Sequence, residues 1–111
     1  MRELQKAAAS GSAPAALAID IFCTAIAKTV AAFAVSLGWL EMLIFAGGIG
    51  EHSADVRAAV CKQLALLGVE LDASRNASSE PLLSTDSSRV TVRIVPAQEE
   101  IQMAREVRAR L

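Results

Sequence analysis

Excess charge, aromatic rings and cysteines are all scarce in this sequence. Its 11 Lys and Arg stand against 12 Asp and Glu, for a net charge of −1. A nucleic-acid binder would carry a basic excess, and an electrostatic membrane anchor would carry a Lys/Arg cluster. Neither is present. Aromatic residues make up only 4%, so the 53% apolar content rests on Ala, Val, Leu and Ile. Disordered chains combine low hydrophobicity with high net charge, and this chain does neither. The two cysteines, Cys23 and Cys61, form no CxxC pair and no metal-ligand spacing. Both fall on apolar helical faces and are expected as buried free thiols. The segment from Met1 to Lys6 does not resemble a signal peptide. The apolar stretch over residues 14–43 is interrupted by Asp20 and Lys28, and no window of about 18 residues is free of charge. A reducing, cytoplasmic setting with no membrane partner is the resulting expectation.

At 111 residues the chain has room for one small domain. Residues 7–13 are small and predict a loop or frayed end. Pro14 suits the first turn of a helix, where its missing N–H costs nothing. Ile19, Phe22, Ile26, Val30, Phe33 and Leu37 then recur at helical spacing and predict one buried stripe. Gly38 ends that helix. The apolar run Met42 to Phe45 predicts a strand covered on both faces. A glycine loop follows. Ser53 is the expected N-cap of a second helix, whose stripe is Val56, Ala59, Val60, Leu64 and Leu67. Gly68 stops it. Residues 69–72 predict a short strand, 73–88 a polar surface loop, 88–95 a further strand, and 97–110 a third helix. In that helix, Glu99 and Glu100 at the start and the arginines near the end complement the dipole. The order is α-β-α-β-β-α, an α/β layer whose strands are few and short.

The glycine segment from Phe45 to Ser53 joins a buried strand to a helix start. Glycines there permit positive φ and close approach of backbone N–H groups to a ligand. A tight strand-to-helix turn without any ligand fits the spacing equally well. A Walker A loop is excluded, because Glu51-His52 stands where Lys-Ser/Thr is required. A dinucleotide fingerprint fits in part: Gly48-Ile49-Gly50-Glu51-His52-Ser53 has Ser in place of the third small residue. Glu70 and Asp72 lie about 20 residues on. That reading leaves the long preceding helix unexplained.

Leu43-Ile44-Phe45-Ala46-Gly47-Gly48-Ile49-Gly50-Glu51-His52-Ser53-Ala54-Asp55-Val56-Arg57 resembles the "FTGGIGENS…VR" signature of the acetate and propionate kinases. The likeness continues through Leu66 to Asp72. It returns in Val95-Pro96-Ala97-Gln98-Glu99-Glu100-Ile101-Gln102-Met103-Ala104-Arg105, which is similar to the family's "PTNEELMIAR". Upstream, Ala18 to Cys23 is similar to the helix before the signature. The resemblance implies a partial ribonuclease H-like (actin-like ATPase) domain of the sugar kinase and actin superfamily. Residues 1–111 would be a single C-terminal, nucleotide-side portion of a longer chain. Met1-Arg2 looks like the end of the family's "D-x-R" nucleotide-contact segment.

By that resemblance Arg2, Gly48, Ile49, Gly50, Glu51 and His52 would bind the nucleotide, with His52 where Asn is usual and Ala46 where Thr is usual. Glu99 would help place Mg²⁺ on the phosphates of ATP, with Glu100 facing solvent. Gln98 and Ala97 depart from the family's Asn and Thr. Magnesium keeps several waters and takes one or two protein carboxylates, so Glu99 alone would not suffice. Favourable capping of the third helix explains both glutamates as well. The intact family transfers the γ-phosphoryl of ATP to a short-chain carboxylate, giving an acyl phosphate. Its substrate arginines and transition-state His match nothing in this chain, so no catalytic residue is expected and the chain should be inactive alone. A dinucleotide-binding module and a non-catalytic assembly fragment, including a homodimer, are the alternatives.

Overall fold

The computed structural model describes residues 1–96. The helix expected over residues 97–110, with Glu99, lies outside the described residues.

Alanine is the strongest helix former, and the small residues at the start extend a helix, α1 (Arg2–Ala9), where a loop was expected. The chain breaks only at Gly11, with φ of 99°. Ser12 then caps α2 (Ala13–Leu37), its hydroxyl accepting from the Ala15 N–H at 3.3 Å, with proline in the first turn as expected. Gly38, at φ 86°, ends the helix in the left-handed conformation that glycine adopts without strain.

The buried stripe of α2 differs from the one expected. Ala15, Cys23, Ala27 and Ala34 are buried, while Ile19, Phe22, Ile26 and Val30 flank them half-buried. Phe33 and Leu37 are 63% and 66% exposed. Small side chains let the neighbouring helix approach closely, so they occupy the line of contact and the larger residues pack beside it. Beyond Ala34 no described element covers the large side chains. The 25 residues of α2 are long and apolar enough to cross a bilayer by length and composition. In this fold it packs against α1 and α4.

Two strands, β1 (Met42–Phe45) and β2 (Thr91–Ile94), pair in parallel with Met42 opposite Thr91 and Phe45 opposite Ile94. Phe45, Val92 and Ile94 face the core, whereas Met42 and Ile44 are 42% and 39% exposed. The two-sided cover expected of β1 is therefore present on one side only.

Between the strands run α3 (Gly47–His52), α4 (Ala54–Gln63), a 3-10 turn (Ala65–Leu67) and α5 (Ala73–Ala77). The order thus departs from α-β-α-β-β-α. The strand expected over 69–72 is reduced to single bridges, Val69 to Val90 and Leu71 to Ser84. Its continuation is cut short because Asp72 turns to cap α5, accepting from the Arg75 N–H at 2.9 Å. The segment expected as a polar surface loop holds α5 and then lies antiparallel along β2. Leu83 N–H donates to the Val92 carbonyl at 2.8 Å, and Ile94 N–H to the Pro81 carbonyl at 2.9 Å. Ser84 is buried because its hydroxyl accepts from Val92 N–H at 3.0 Å, so burial of a polar residue is matched by a partner. The core forms where α2, α4 and the sheet meet, around Cys23, Val60, Leu83 and Val92. Both cysteines are free and buried, as expected.

Candidate functional site

The glycine segment leaves β1 through Ala46, in extended conformation, and enters α3 at once. The expected loop is thus a helix of six residues, three of them glycine. Such a segment has poor intrinsic helicity, since each Gly costs about 1 kcal/mol relative to Ala. It is held from outside. A Cβ on Gly50 would stand 3.4 Å from the Phe45 backbone carbon, so glycine lets α3 fold back tightly on the end of β1. Ser53 then caps α4 as expected, accepting from Val56 N–H at 3.3 Å.

Arg57 does most of the holding. It is fully buried, and its guanidinium uses five hydrogen bonds. Nη1 donates to the carbonyls of Gly50 at 3.0 Å and Glu51 at 2.9 Å. Nε donates to Asn76 Oδ1 at 2.7 Å, and Nη2 to the Asn76 carbonyl at 2.8 Å and Ser79 Oγ at 3.0 Å. Asn76 closes the joint by donating from Nδ2 to the Ala54 carbonyl at 2.9 Å. Two of these acceptors are carbonyls at the C-terminal end of α3, where a cation is favoured. Desolvation lowers the Arg57 pKa from its ordinary value, and the nearby Cys61 opposes that shift. Burial pushes the Cys61 thiol up to about 12, with Arg57 pulling the other way.

Gln5 of α1 makes the second attachment. Its Nε2 donates to Ser53 Oγ at 2.8 Å across 48 positions of sequence. This brings α1 against α3 and encloses a cleft of about 300 Å³, lined by Met1, Arg2, Gln5, Gly48, Ile49, His52 and Ser53. Arg2, Gly48, Ile49 and His52 therefore converge on one cleft, although Arg2 lies 46 positions before Gly48 in the sequence. Gly50 does not line this cleft and is half-buried against Phe45. Glu51 instead lines a separate cleft of about 460 Å³ with Met42, Ser79 and Arg93, and His52 borders both. Among the described residues, no three His, Cys, Asp or Glu side chains gather at one point.

Sequence reasoning did not single out Gln5 or Asn76, and it quoted Arg57 without a role. For Arg57 a signal existed: a charge three and four positions before Val60 and Cys61, on the apolar side of its helix. For Gln5 and Asn76 none existed, because a polar residue on a short helix reads as solvated surface.

The model of the Acetokinase family matches residues 1–105. An acetate kinase of Leifsonia xyli subsp. xyli is 42% identical over 109 residues, covering 96% of this chain and 28% of that protein. A propionate kinase of Yersinia enterocolitica is 38% identical over 106 residues, covering 96% of this chain and 26% of its own length. Among solved structures, a propionate kinase from Francisella tularensis superposes with a TM-score of 0.82 at 36% identity, over 95% of this chain and 27% of that one. Acetate kinase from Entamoeba histolytica gives 0.82 at 29% identity, over 97% and 30%. The chain thus spans little more than a quarter of the length of these relatives, with the same fold over that span. On the match of residues 1–105 and these identities, the chain belongs to the acetokinase family.

Proposed function

We propose that this chain is the nucleotide-binding portion of an acetate kinase-like phosphotransferase, the C-terminal quarter of a ribonuclease H-like, actin-like ATPase fold. The observation that carries this reading is the convergence of Arg2, Gly48, Ile49 and His52 on one cleft. ATP or ADP would lie there. The backbone of Gly48 and Ile49 offers a surface on which a base or ribose can press, and His52 offers a hydrogen bond and a stacking face. The Arg2 guanidinium supplies positive charge. Gly50 lets α3 fold tightly onto the end of β1, and Glu51 borders the adjoining cleft.

Magnesium belongs to this reading as the ion carried on the nucleotide phosphates. A carboxylate suits so hard a cation, and Glu99, outside the described residues, is the one assigned to it. The ion neutralises charge on the transferred group. The carboxylate-side groups of the reaction are not assigned to any residue of this chain. A short-chain carboxylate is accordingly the substrate of the longer enzyme, in a cytoplasmic setting, and the chain alone is inactive.

Titration of the chain with ATP in Mg²⁺, and separately with NAD, tests the reading. Saturable ATP binding lost in Arg2→Ala supports it, and NAD binding without ATP binding overturns it. The dinucleotide alternative is weakened by Asp72, whose carboxylate already caps α5. Formation of acetyl phosphate from ATP and acetate by the purified chain would refute its catalytic incompleteness. A monomer that melts cooperatively and binds no apolar dye would count against the assembly-fragment alternative.

A further inference from the structure

Arg2 stands in the first turn of α1, where a helix dipole disfavours a cation. It is exposed and has no hydrogen bond or ion pair among the described residues. Nothing local therefore fixes where it stands; its position is that of the helix carrying it. Yet α1 buries none of its residues and packs mainly along α2. The one side-chain hydrogen bond from α1 to the glycine segment and its cap is Gln5 Nε2 to Ser53 Oγ, 2.8 Å and part-buried. Gln5 lies one turn beyond Arg2, so both project from neighbouring positions of the same helix toward the cleft they line. Ser53 in turn is fixed by the α4 N-cap bond, and α4 by Arg57 to α3.

We propose that Gln5 is a positioning residue for nucleotide binding. Its bond to Ser53 sets the distance between Arg2 and the wall formed by Gly48, Ile49 and His52. The proposal rests on the nucleotide reading of that cleft. Without the bond, α1 keeps its packing along α2 and the contact of Met1 with the core, but its start shifts and Arg2 moves from the cleft. The Gln5 amide itself need not touch the ligand.

The test uses a fluorescent ADP analogue with Mg²⁺ and four proteins: the chain itself, Gln5→Ala, Arg2→Ala and the double variant. Loss of one hydrogen bond predicts binding weakened about 3- to 10-fold in Gln5→Ala. If Gln5 acts through Arg2, its replacement adds nothing in the Arg2→Ala background. Unchanged affinity in Gln5→Ala, or an equal loss in both backgrounds, overturns the proposal. No binding by the unmodified chain, or no effect of Arg2→Ala, overturns the cleft reading instead. Deuterium exchange over residues 2–9 checks the tether without nucleotide. Exchange speeds up in Gln5→Ala if the bond holds α1, and unchanged exchange refutes it.

Discussion

At the C-terminal end of β1, Arg57 is fully buried with five hydrogen bonds, to Gly50 and Glu51 of α3, to Asn76 of α5 twice and to Ser79 just beyond it. At the N-terminal end of the same strand, Val35 and Leu66 are 82% and 84% exposed, and Leu37 and Trp39 are 66% and 67% exposed. Val35, Trp39 and Leu66 line an open cleft of about 830 Å³ there. The contrast follows from what each kind of group tolerates. A buried guanidinium must find all its partners within the fold, because each orphaned polar group costs about 1–3 kcal/mol. Exposed apolar surface costs only about 25 cal/mol per Å² and can remain uncovered. The polar end is therefore complete within this chain. The apolar end stays uncovered among the described residues, in a chain that spans 28% of the length of its Leifsonia relative.

The strongest way to break this contrast is Arg57→Ala. It leaves five acceptors without their donors around an empty space, so stability should fall by about 3 kcal/mol or more in denaturant unfolding. Arg57→Lys should recover only part, since an ammonium cannot reproduce the planar fork. A loss below about 1 kcal/mol would mean that α3 is held by something else. At the apolar end the most sensitive position is Gly68, with φ of 94° and a Cβ that would lie 2.7 Å from Arg89 Cβ. Gly68→Ala should lower stability by about 1–3 kcal/mol. If thermal melting is unmoved, that end is more pliable than its geometry indicates.

A smaller effect concerns Cys61, one turn from Arg57. Its thiol keeps its proton in the fold up to about 12, against 9.0 when unfolded. Below pH 9 both states carry the proton. Above it only the folded state does, so stability should fall as pH rises from 9 toward 12, by about 1.4 kcal/mol per pH unit. Denaturation midpoints at pH 8 and pH 10 should differ in the chain and agree more closely in Cys61→Ala. The least effect on stability belongs to Leu66→Lys and Trp39→Ser. Both should stay within about 0.5 kcal/mol while reducing binding of an apolar dye. A large loss of stability there would show that the apolar end is packed after all.

Helix ends were readable because their chemistry is local. Ser53, Gly38 and Gly68 sit where a cap or a positive φ is required, and each was identified from its immediate neighbours. The strands at Met42–Phe45 and Thr91–Ile94 were legible as apolar runs, but their parallel pairing with each other was not. The strand expected over 69–72 is instead two single bridges, because whether it extends depends on where Val90 and Ser84 lie. The stripe of α2 was read from its large residues, but contact follows the small ones that admit α4. In the site, the residues came from the signature, while their meeting did not.

By itself the sequence determined the family, through motifs in a fixed order, and the local devices of caps, glycines and apolar periodicity. Those depend on residues within a few positions of each other. The tertiary structure alone decided that Gln5 reaches Ser53, that Arg57 ties the C-terminal end of a glycine helix to α5, and that Arg2 stands beside Gly48 and His52. Each of these joins residues far apart in the chain, and a hydrogen bond between them exists only once the core has brought their helices together.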